Sequence, residues 1–584
     1  MIDATPGQGP ARDRGVGAPG AAGAVAAGVT AEGPTDAGPG LRDIVGAERV
    51  MGVAYTPEER AQMLGTLEGQ IAQARARRAL AMPNDLPMAT RFDPRLPGFR
   101  PPAAPGRVAW SQADPGPLPA SDTDIAFAPV AHLARWIASG QLSSRRLTEI
   151  YLARIDRLAP QLCCFATVTP DLARAEAEAE AADALLRAGV NLGPLHGIPY
   201  ALKDLFDTRG IVTGWGAEPF RTRVPDRDAA VVTRLRAAGA VLLGKTSVGA
   251  LAYGDLWYGG TTRNPWNPQE GSSGSSAGSG AATAAGLCGF AIGTETLGSI
   301  TSPSQRTGTT GLRPSFGRVS RAGAMALCWS LDKVGPMCRG VEDTAMVLSV
   351  LNGGDPADRS SIDMPFHFDA GRGVAGLRVG YLPEAFAEGA TAVDHAALEA
   401  VRGLGVALRE VALPDLPYAS LLGLLHAEAA AAFEELTLSG ADDTLAWQEA
   451  EAWPNSFRKA RFLSAVDHVQ LDRLRYRVME ALDGLFADID VLVGPFAIGP
   501  MLVASNFTGH PCLHLRAGFL DSPTRPRGSL GNRAPAPAAD GPAFTVPQGI
   551  SLWGGLFDEG PLLSLGLALE AALGVAGHRP PMAG

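Results

Sequence analysis

Short apolar runs alternate with helical stretches through the middle of this 584-residue chain, and that alternation limits what it can fold into. The run 198–202 is followed by a helical stretch at 229–238, which leads into the run 240–243. Further runs at 290–292, 374–381 and 491–493 continue the pattern. Runs this short and apolar read as strands, and strands interleaved with helices predict an α/β core. Upstream, Leu133, Trp136 and Ile137 share one helical face, and Leu147, Ile150, Tyr151 and Ile155 continue the apolar period. Residues 173–188, rich in Ala and Glu, predict another helix, and no repeat of fixed period runs through the chain.

Composition marks the borders. Residues 1–45 are rich in Gly, Ala and Pro and bury too little apolar surface to offset their ordering entropy, so a disordered tail is expected. The uncharged run 15–30 behind Arg12 and Arg14 imitates a signal peptide only faintly, because it lacks Leu, Ile and Phe. Met51 is a candidate start on the same ground. Residues 46–120 are expected to form a helical extension with a Pro-rich linker. There Thr56-Pro57-Glu58-Glu59 is a capping box with Pro at the first helical position, opening an amphipathic run that carries Met63, Leu64, Leu67 and Ile71. Residues 121–578 are expected to be the main domain, with 385–500 as a divergent, helical, substrate-shaping region.

The bulk numbers exclude several classes. An apolar share of 46% with 19% charged residues is ordinary for a globular chain. The 50 Lys and Arg against 60 Asp and Glu leave a net charge of -10, which gives no support for a nucleic-acid surface. Six cysteines without a CxxC pair or Cys/His cluster write neither a zinc site nor a disulfide framework, and a reducing cytoplasm fits them. The uncharged stretch 271–294 is too interrupted by Ser and Gly to read as a membrane span.

Chemistry concentrates between Ser273 and Ser299, a Gly-rich stretch crowded with hydroxyls and free of Lys, Arg and His. Such a stretch suggests a nucleophile whose base comes from elsewhere. Lys203, just past the apolar run in Gly197-Ile-Pro-Tyr-Ala-Leu-Lys-Asp204, is the candidate. At the rim of a buried sheet, desolvation would lower its pKa from about 10.4 and free a neutral amine.

The same stretches resemble the amidase signature family of serine hydrolases. The likeness is carried by Ser273-Gly-Ser-Ser-Ala-Gly-Ser279, Gly293-Thr-Glu-Thr-Leu-Gly-Ser-Ile300, Gly311-Leu-Arg-Pro-Ser-Phe-Gly-Arg-Val-Ser320 and Ser330-Leu-Asp-Lys-Val-Gly-Pro336. Gly193-Pro-Leu-His-Gly-Ile-Pro199, Lys203-Asp204 and Thr508-Gly-His-Pro511 add to it. It implies one large α/β domain whose central twisted mixed β-sheet is covered by helices on both faces. It also implies a Ser, cis-Ser, Lys triad, with Ser299 as nucleophile and Lys203 as base. Ser272, Ser273, Ser275 and Ser276 all lie in the loop; the family places the bridging Ser 24 positions before the nucleophile, which is Ser275. Gly274 and Ser276 would support that loop around a cis Gly274–Ser275 peptide, and backbone N–H groups of Thr296, Leu297, Gly298 and Ser299 would form an oxyanion hole.

The activity so implied is amidase: a carboxylic amide, carbamate or anilide is hydrolysed to acid and amine through an acyl-enzyme on Ser299, with no metal and no organic cofactor. A cytoplasmic location, a small-molecule amide as partner, no direct nucleic acid, no membrane and room for a homodimer go with that reading. The alternative is the glutaminase (A-type) subunit of a tRNA-dependent amidotransferase complex. Leu297 stands where the family commonly has Gly, Glu295 where it has Asp, and Thr301 with Gln305-Arg306-Thr307 where it has Arg and Phe-Cys. These departures bear on substrate identity.

Rival motifs are weaker. Gly274-Ser-Ser-Ala-Gly278 fits GxSxG with Ser276 at the elbow, but Arg263-Asn-Pro-Trp-Asn-Pro268 breaks the strand such an elbow needs. Ser330 and Lys333 fit SxxK without its partner motifs. His196, His510 and Lys245 are expected to be structural, and Trp257, Tyr258 and Trp266 to pack or to touch substrate.

Overall fold

The computed structural model describes residues 39–102, 106–168, 172–387, 389–496, 498–525 and 542–583. Most of the expected disordered tail lies outside these residues. The chain divides into two compact units, Met1–Ala81 and Met82–Gly584.

In the first unit a helix begins at Leu41, ahead of the boundary near 45 read from composition, and runs to Met51. A second helix spans Pro57–Arg78. The Thr56 hydroxyl accepts from the Glu59 N–H while the Glu59 carboxylate accepts from the Thr56 N–H at 2.7 Å, so the capping box forms as its spacing predicts. Arg60 and Glu48 join the two helices in a 2.7 Å ion pair. Met63, Leu64, Leu67 and Ile71 are only half-buried.

The second unit is built on a mixed sheet of eleven strands. In chain order they are β1 Phe165–Val168, β2 Pro199–Lys203, β3 Val241–Thr246, β4 Phe290–Glu295, β5 Thr310–Arg313, β6 Lys333–Cys338, β7 Arg378–Tyr381, β8 Ala407–Glu410, β9 Val491–Pro495, β10 Cys512–Ser522 and β11 Phe544–Gly554. Across the sheet the order is β8-β7-β9-β11-β10-β5-β6-β4-β2-β3-β1. Parallel pairing holds β2 between β3 and β4, while β4, β6, β5, β10, β11 and β9 pair antiparallel in turn. Every residue of β2, β3 and β4 is buried, which is why these strands read as plain apolar runs.

Helices flank the sheet. Ser144–Leu162 and Leu172–Arg187 realise the upstream helical pattern, and Ala230–Ala237 joins β2 to β3. Ala277–Ala284 consists of small residues and is wholly buried. A Cβ at Gly278 would lie 2.3 Å from the Cys164 carbonyl oxygen and 2.5 Å from the Ser247 nitrogen, so this helix approaches its neighbours more closely than larger side chains permit. Region 385–500 is mostly helical, and it also adds β8 and β9 to the sheet. Among the described residues no helix is long and apolar enough to cross a membrane.

Candidate active site

Three segments converge at the carboxyl ends of the neighbouring strands β2 and β4. β2 ends on Lys203, whose side chain is 0% exposed. β4 ends at Glu295 and passes through Thr296-Leu-Gly-Ser299 into the helix Thr301–Thr307, with Gly298 at φ 84°. The Ser272–Ser276 loop leads into Ala277–Ala284, and its Gly274–Ser275 peptide is cis. A Cβ on Gly274 would lie 1.8 Å from the Gly254 carbonyl oxygen, so only glycine fits there.

Lys203 Nζ lies 2.9 Å from Ser275 Oγ, 3.0 Å from Ser276 Oγ, 2.8 Å from Thr294 Oγ1 and 3.3 Å from the Thr294 carbonyl oxygen. Its neighbours are thus neutral oxygens. Burial pushes the Lys203 ammonium well below its usual range, against the opposing pull of the Asp332 and Glu295 carboxylates. Ser276 ties the site together: its hydroxyl donates to the Thr294 carbonyl at 3.1 Å and its N–H donates to the Ser299 carbonyl at 3.1 Å. Lys203 and Ser275 therefore meet side chain to side chain. Ser299, 6% exposed, is held beside them through its backbone, with no hydrogen bond from its hydroxyl among the described residues. The N–H groups of Leu297, Gly298 and Ser299 likewise have no acceptor among the described residues.

Behind the turn sits a buried ion pair. Glu295 Oε2 accepts from the Ile300 and Thr301 N–H groups at 2.9 and 3.0 Å, and its Oε1 accepts from Arg313 Nη1 at 2.7 Å and Asn506 Nδ2 at 3.1 Å. Burial alone would raise the Glu295 carboxyl, but the Arg313 guanidinium and the helix N–H groups hold it down at about 2. The longer Glu, where the resemblance expects Asp, reaches from the end of β4 to cap Thr301–Thr307. Thr296 Oγ1 donates to Asp332 Oδ1 at 2.6 Å, and Asp332 Oδ2 accepts from Leu327 and Cys328 N–H groups at 2.8 and 3.0 Å. The sequence motifs assign no role to Thr294, Asp332, Arg313 or Asn506. Thr294, Arg313 and Asp332 lie inside the quoted stretches, and strand register alone brings them here.

The other candidates lie elsewhere. Lys245 Nζ donates to the Phe206 carbonyl at 2.6 Å and to Thr213 Oγ1 at 2.8 Å, away from the serines. His196 sits 2.9 Å from the Ala182 carbonyl oxygen, and His510, 2.8 Å from Thr508 Oγ1, is pushed down to about 3 by burial and by Arg313. Ser330 is engaged by Glu428 and Arg475, while Lys333 donates to its own loop at the Leu331 carbonyl, so the SxxK pair does not meet. Trp266 packs with its Nε1 donating to the Thr307 carbonyl at 2.9 Å. A cavity of about 600 Å³ adjoins the site, with Thr294, Thr296 and Asp332 in its lining.

The sequence pattern of the family described as Amidase matches residues 146–553. The A-type subunit of glutamyl-tRNA(Gln) amidotransferase from Pseudomonas savastanoi pv. phaseolicola is 35% identical over 467 residues, covering 75% of this chain and 95% of that protein. The protein of the same name from Halorhodospira halophila is 36% identical over 471 residues, with the same coverage of each chain. Among solved structures, native peptide amidase from Stenotrophomonas maltophilia superposes with a TM-score of 0.65 at 29% identity, covering 79% of this chain and 99% of its own.

These relatives correct one expectation. A small-molecule amide partner with no nucleic acid, and a homodimer, does not stand against near full-length relatives named for one subunit of a glutamyl-tRNA(Gln) amidotransferase. That expectation leaned on the net charge of -10, which averages over the whole surface and carries no information about what a companion protein binds. With the family pattern spanning most of the sheet and the matched relatives covered almost end to end, the chain belongs to the amidase family, the amidase signature enzymes.

Proposed function

We propose that the chain cleaves the C–N bond of a carboxamide through an acyl-enzyme on Ser299, as the A-type, ammonia-releasing subunit of a tRNA-dependent amidotransferase. The observation that carries the chemistry is the contact between the fully buried Lys203 Nζ and Ser275 Oγ at 2.9 Å, one loop from Ser299. The names of the relatives support the role within an assembly.

Lys203, kept neutral by burial, takes the Ser275 hydroxyl proton while Ser275 takes that of Ser299. Ser299 Oγ then bonds to the amide carbon. The carbonyl oxygen moves toward the N–H groups of Thr296, Leu297, Gly298 and Ser299, and one such donor is worth about 3 kcal/mol. The proton returns through Ser275 to the leaving nitrogen, the C–N bond breaks, and water releases the acid from Ser299. The Ser299 hydroxyl bonds tightly to Ser275 only once substrate is in place, as catalytic hydrogen bonds often do. Six thiols without a disulfide among the described residues suit a reducing cytoplasm.

The test is glutaminase activity of the chain alone and with companion subunits, each with wild type and Ser299→Ala. Activity that requires the companions and falls at least about 10⁴-fold in Ser299→Ala is expected. Full hydrolysis of carboxamides by the isolated chain would replace the subunit role with a free-standing amidase, the second reading, which the likeness to peptide amidase favours. Turnover surviving in Ser299→Ala would remove the nucleophile.

A further inference from the structure

The cavity beside the site is not walled by the family domain alone. Its lining includes Asn84, Pro87, Met88, Thr90 and Phe92, all of which precede the matched span 146–553. Within residues 84–92, Asn84, Met88 and Phe92 are half-buried and the residues between them are exposed.

Specific bonds pin this strap. Asn84 Nδ2 donates to the Ala326 carbonyl at 2.8 Å and Asn84 Oδ1 accepts from the Ala326 N–H at 2.8 Å, a two-point clamp on one residue of the lining. Arg91 Nη1 donates to the Arg359 carbonyl at 2.8 Å, and Arg359 Nη1 donates back to the Met88 carbonyl at 3.3 Å. Phe92 closes the far end, edge-on to Phe316 at 5.1 Å and under the Arg475 guanidinium at 4.2 Å. The strap is therefore held at both ends, with Met88 presented between the fixed points. The lining also includes Leu205, Ala252, Leu327 and Trp329, and two of its charged groups are already taken, Arg321 by Asp358 and Arg227 by Asp85.

We propose that residues 84–92 are the specificity-determining wall of this site, with Met88 as its steric stop, and that they restrict the cavity to compact carboxamides at the expense of bulky ones. The inference rests on the proposed Ser299 chemistry and adds the substrate class. A cavity of about 600 Å³ is of the size that encloses a small ligand. Removing a pinned side chain from its wall lengthens it, while clearing nothing at Lys203, Ser275 or Ser299.

The experiment reads the serine directly, so it needs no knowledge of the natural substrate. The full chain is treated with diisopropyl fluorophosphate or with a fluorophosphonate carrying a long alkyl-biotin tail, and modification of Ser299 is followed by peptide mass. In each case Ser299 Oγ bonds to phosphorus, fluoride leaves, and the hydroxyl proton passes by way of Ser275 to Lys203. The rate ratio of the bulky to the small reagent should rise at least about tenfold in Met88→Gly, and rise also in Asn84→Ala, which releases the clamp. Leu86→Ala, at an exposed position of the same strap, should leave the ratio unchanged. Ser299 labelled at an unchanged ratio in both Met88→Gly and Asn84→Ala, or a ratio raised equally by Leu86→Ala, overturns the wall and spares the proposed chemistry. No labelling of Ser299 by the small reagent overturns both.

Discussion

Two buried lysines on neighbouring strands have opposite surroundings. Lys203 closes β2 and Lys245 lies near the end of β3, and both are 0% exposed. In the β2–β3 register Lys203 faces Thr246 and Lys245 faces Leu202, so the offset of one residue sends the two ammonium groups to opposite faces of the sheet. On one face Lys203 meets hydroxyls and a carbonyl oxygen. On the other, Lys245 finds the Asp204 carboxylate at 3.9 Å as well as the Phe206 carbonyl and Thr213. Burial lowers both, but Asp204 holds Lys245 at about 8, whereas no carboxylate among the described residues comes within ion-pair range of Lys203. The same residue type at the same depth is a candidate base in one place and a structural cation in the other, and the difference is a carboxylate.

The sharpest way to break that contrast is Lys203→Ala. Loss of the base should lower amide turnover by about 10²- to 10⁴-fold while sparing activated esters, whose leaving groups need no proton. Equal losses on amide and p-nitrophenyl ester, compared by initial rates, would take the proton-transfer role away from Lys203.

Stability should divide the pair next. Lys245→Met strands Asp204 as a buried, unpaired carboxyl and should cost about 3–5 kcal/mol in urea unfolding. Lys203→Met strands no charge, so its unfolding midpoint should hold or rise. The pH dependence carries the sign: unfolded Lys203 keeps its proton up to about pH 10.4 while the native side chain has lost it at lower pH. The unfolded state then binds more protons, and stability climbs with pH between the lowered native pKa and that limit. Lys203→Met should remove that climb; a profile identical to wild type would mean that Lys203 is charged in the native state.

The smallest effect should come from Asp332. Its carboxylate pulls Lys203 upward against burial, so Asp332→Asn should lower the Lys203 pKa further and move the acid limb of kcat/KM to lower pH. An unmoved limb in the pH–rate profile would confine Asp332 to holding Thr296.

Much of the central sheet is legible in the amino-acid order. The run 198–202 forms β2, 240–243 the start of β3, and 290–292 the start of β4, because strands buried on both faces must be apolar along their length. Strands β5, β6, β8, β10 and β11 carry no such signal. β6 contains Lys, Gly and Pro, and β10 and β11 interrupt their apolar residues with polar ones and Gly. The motifs single out Lys203, Ser275 and Ser299, whereas the supports at Thr294, Asp332, Arg313 and Asn506 are ordinary polar residues until strands bring them together.

By itself, then, the amino-acid order determined which segments must be buried and which chemical groups stood near the reactive stretch, since both follow from local side-chain chemistry. Tertiary structure decided which buried lysine lies among neutral oxygens, which carboxylate braced the turn at Ser299, and that Asn84, Met88 and Phe92 line the cavity. Those outcomes depend on register, burial and contacts across hundreds of residues, and no local pattern encodes them.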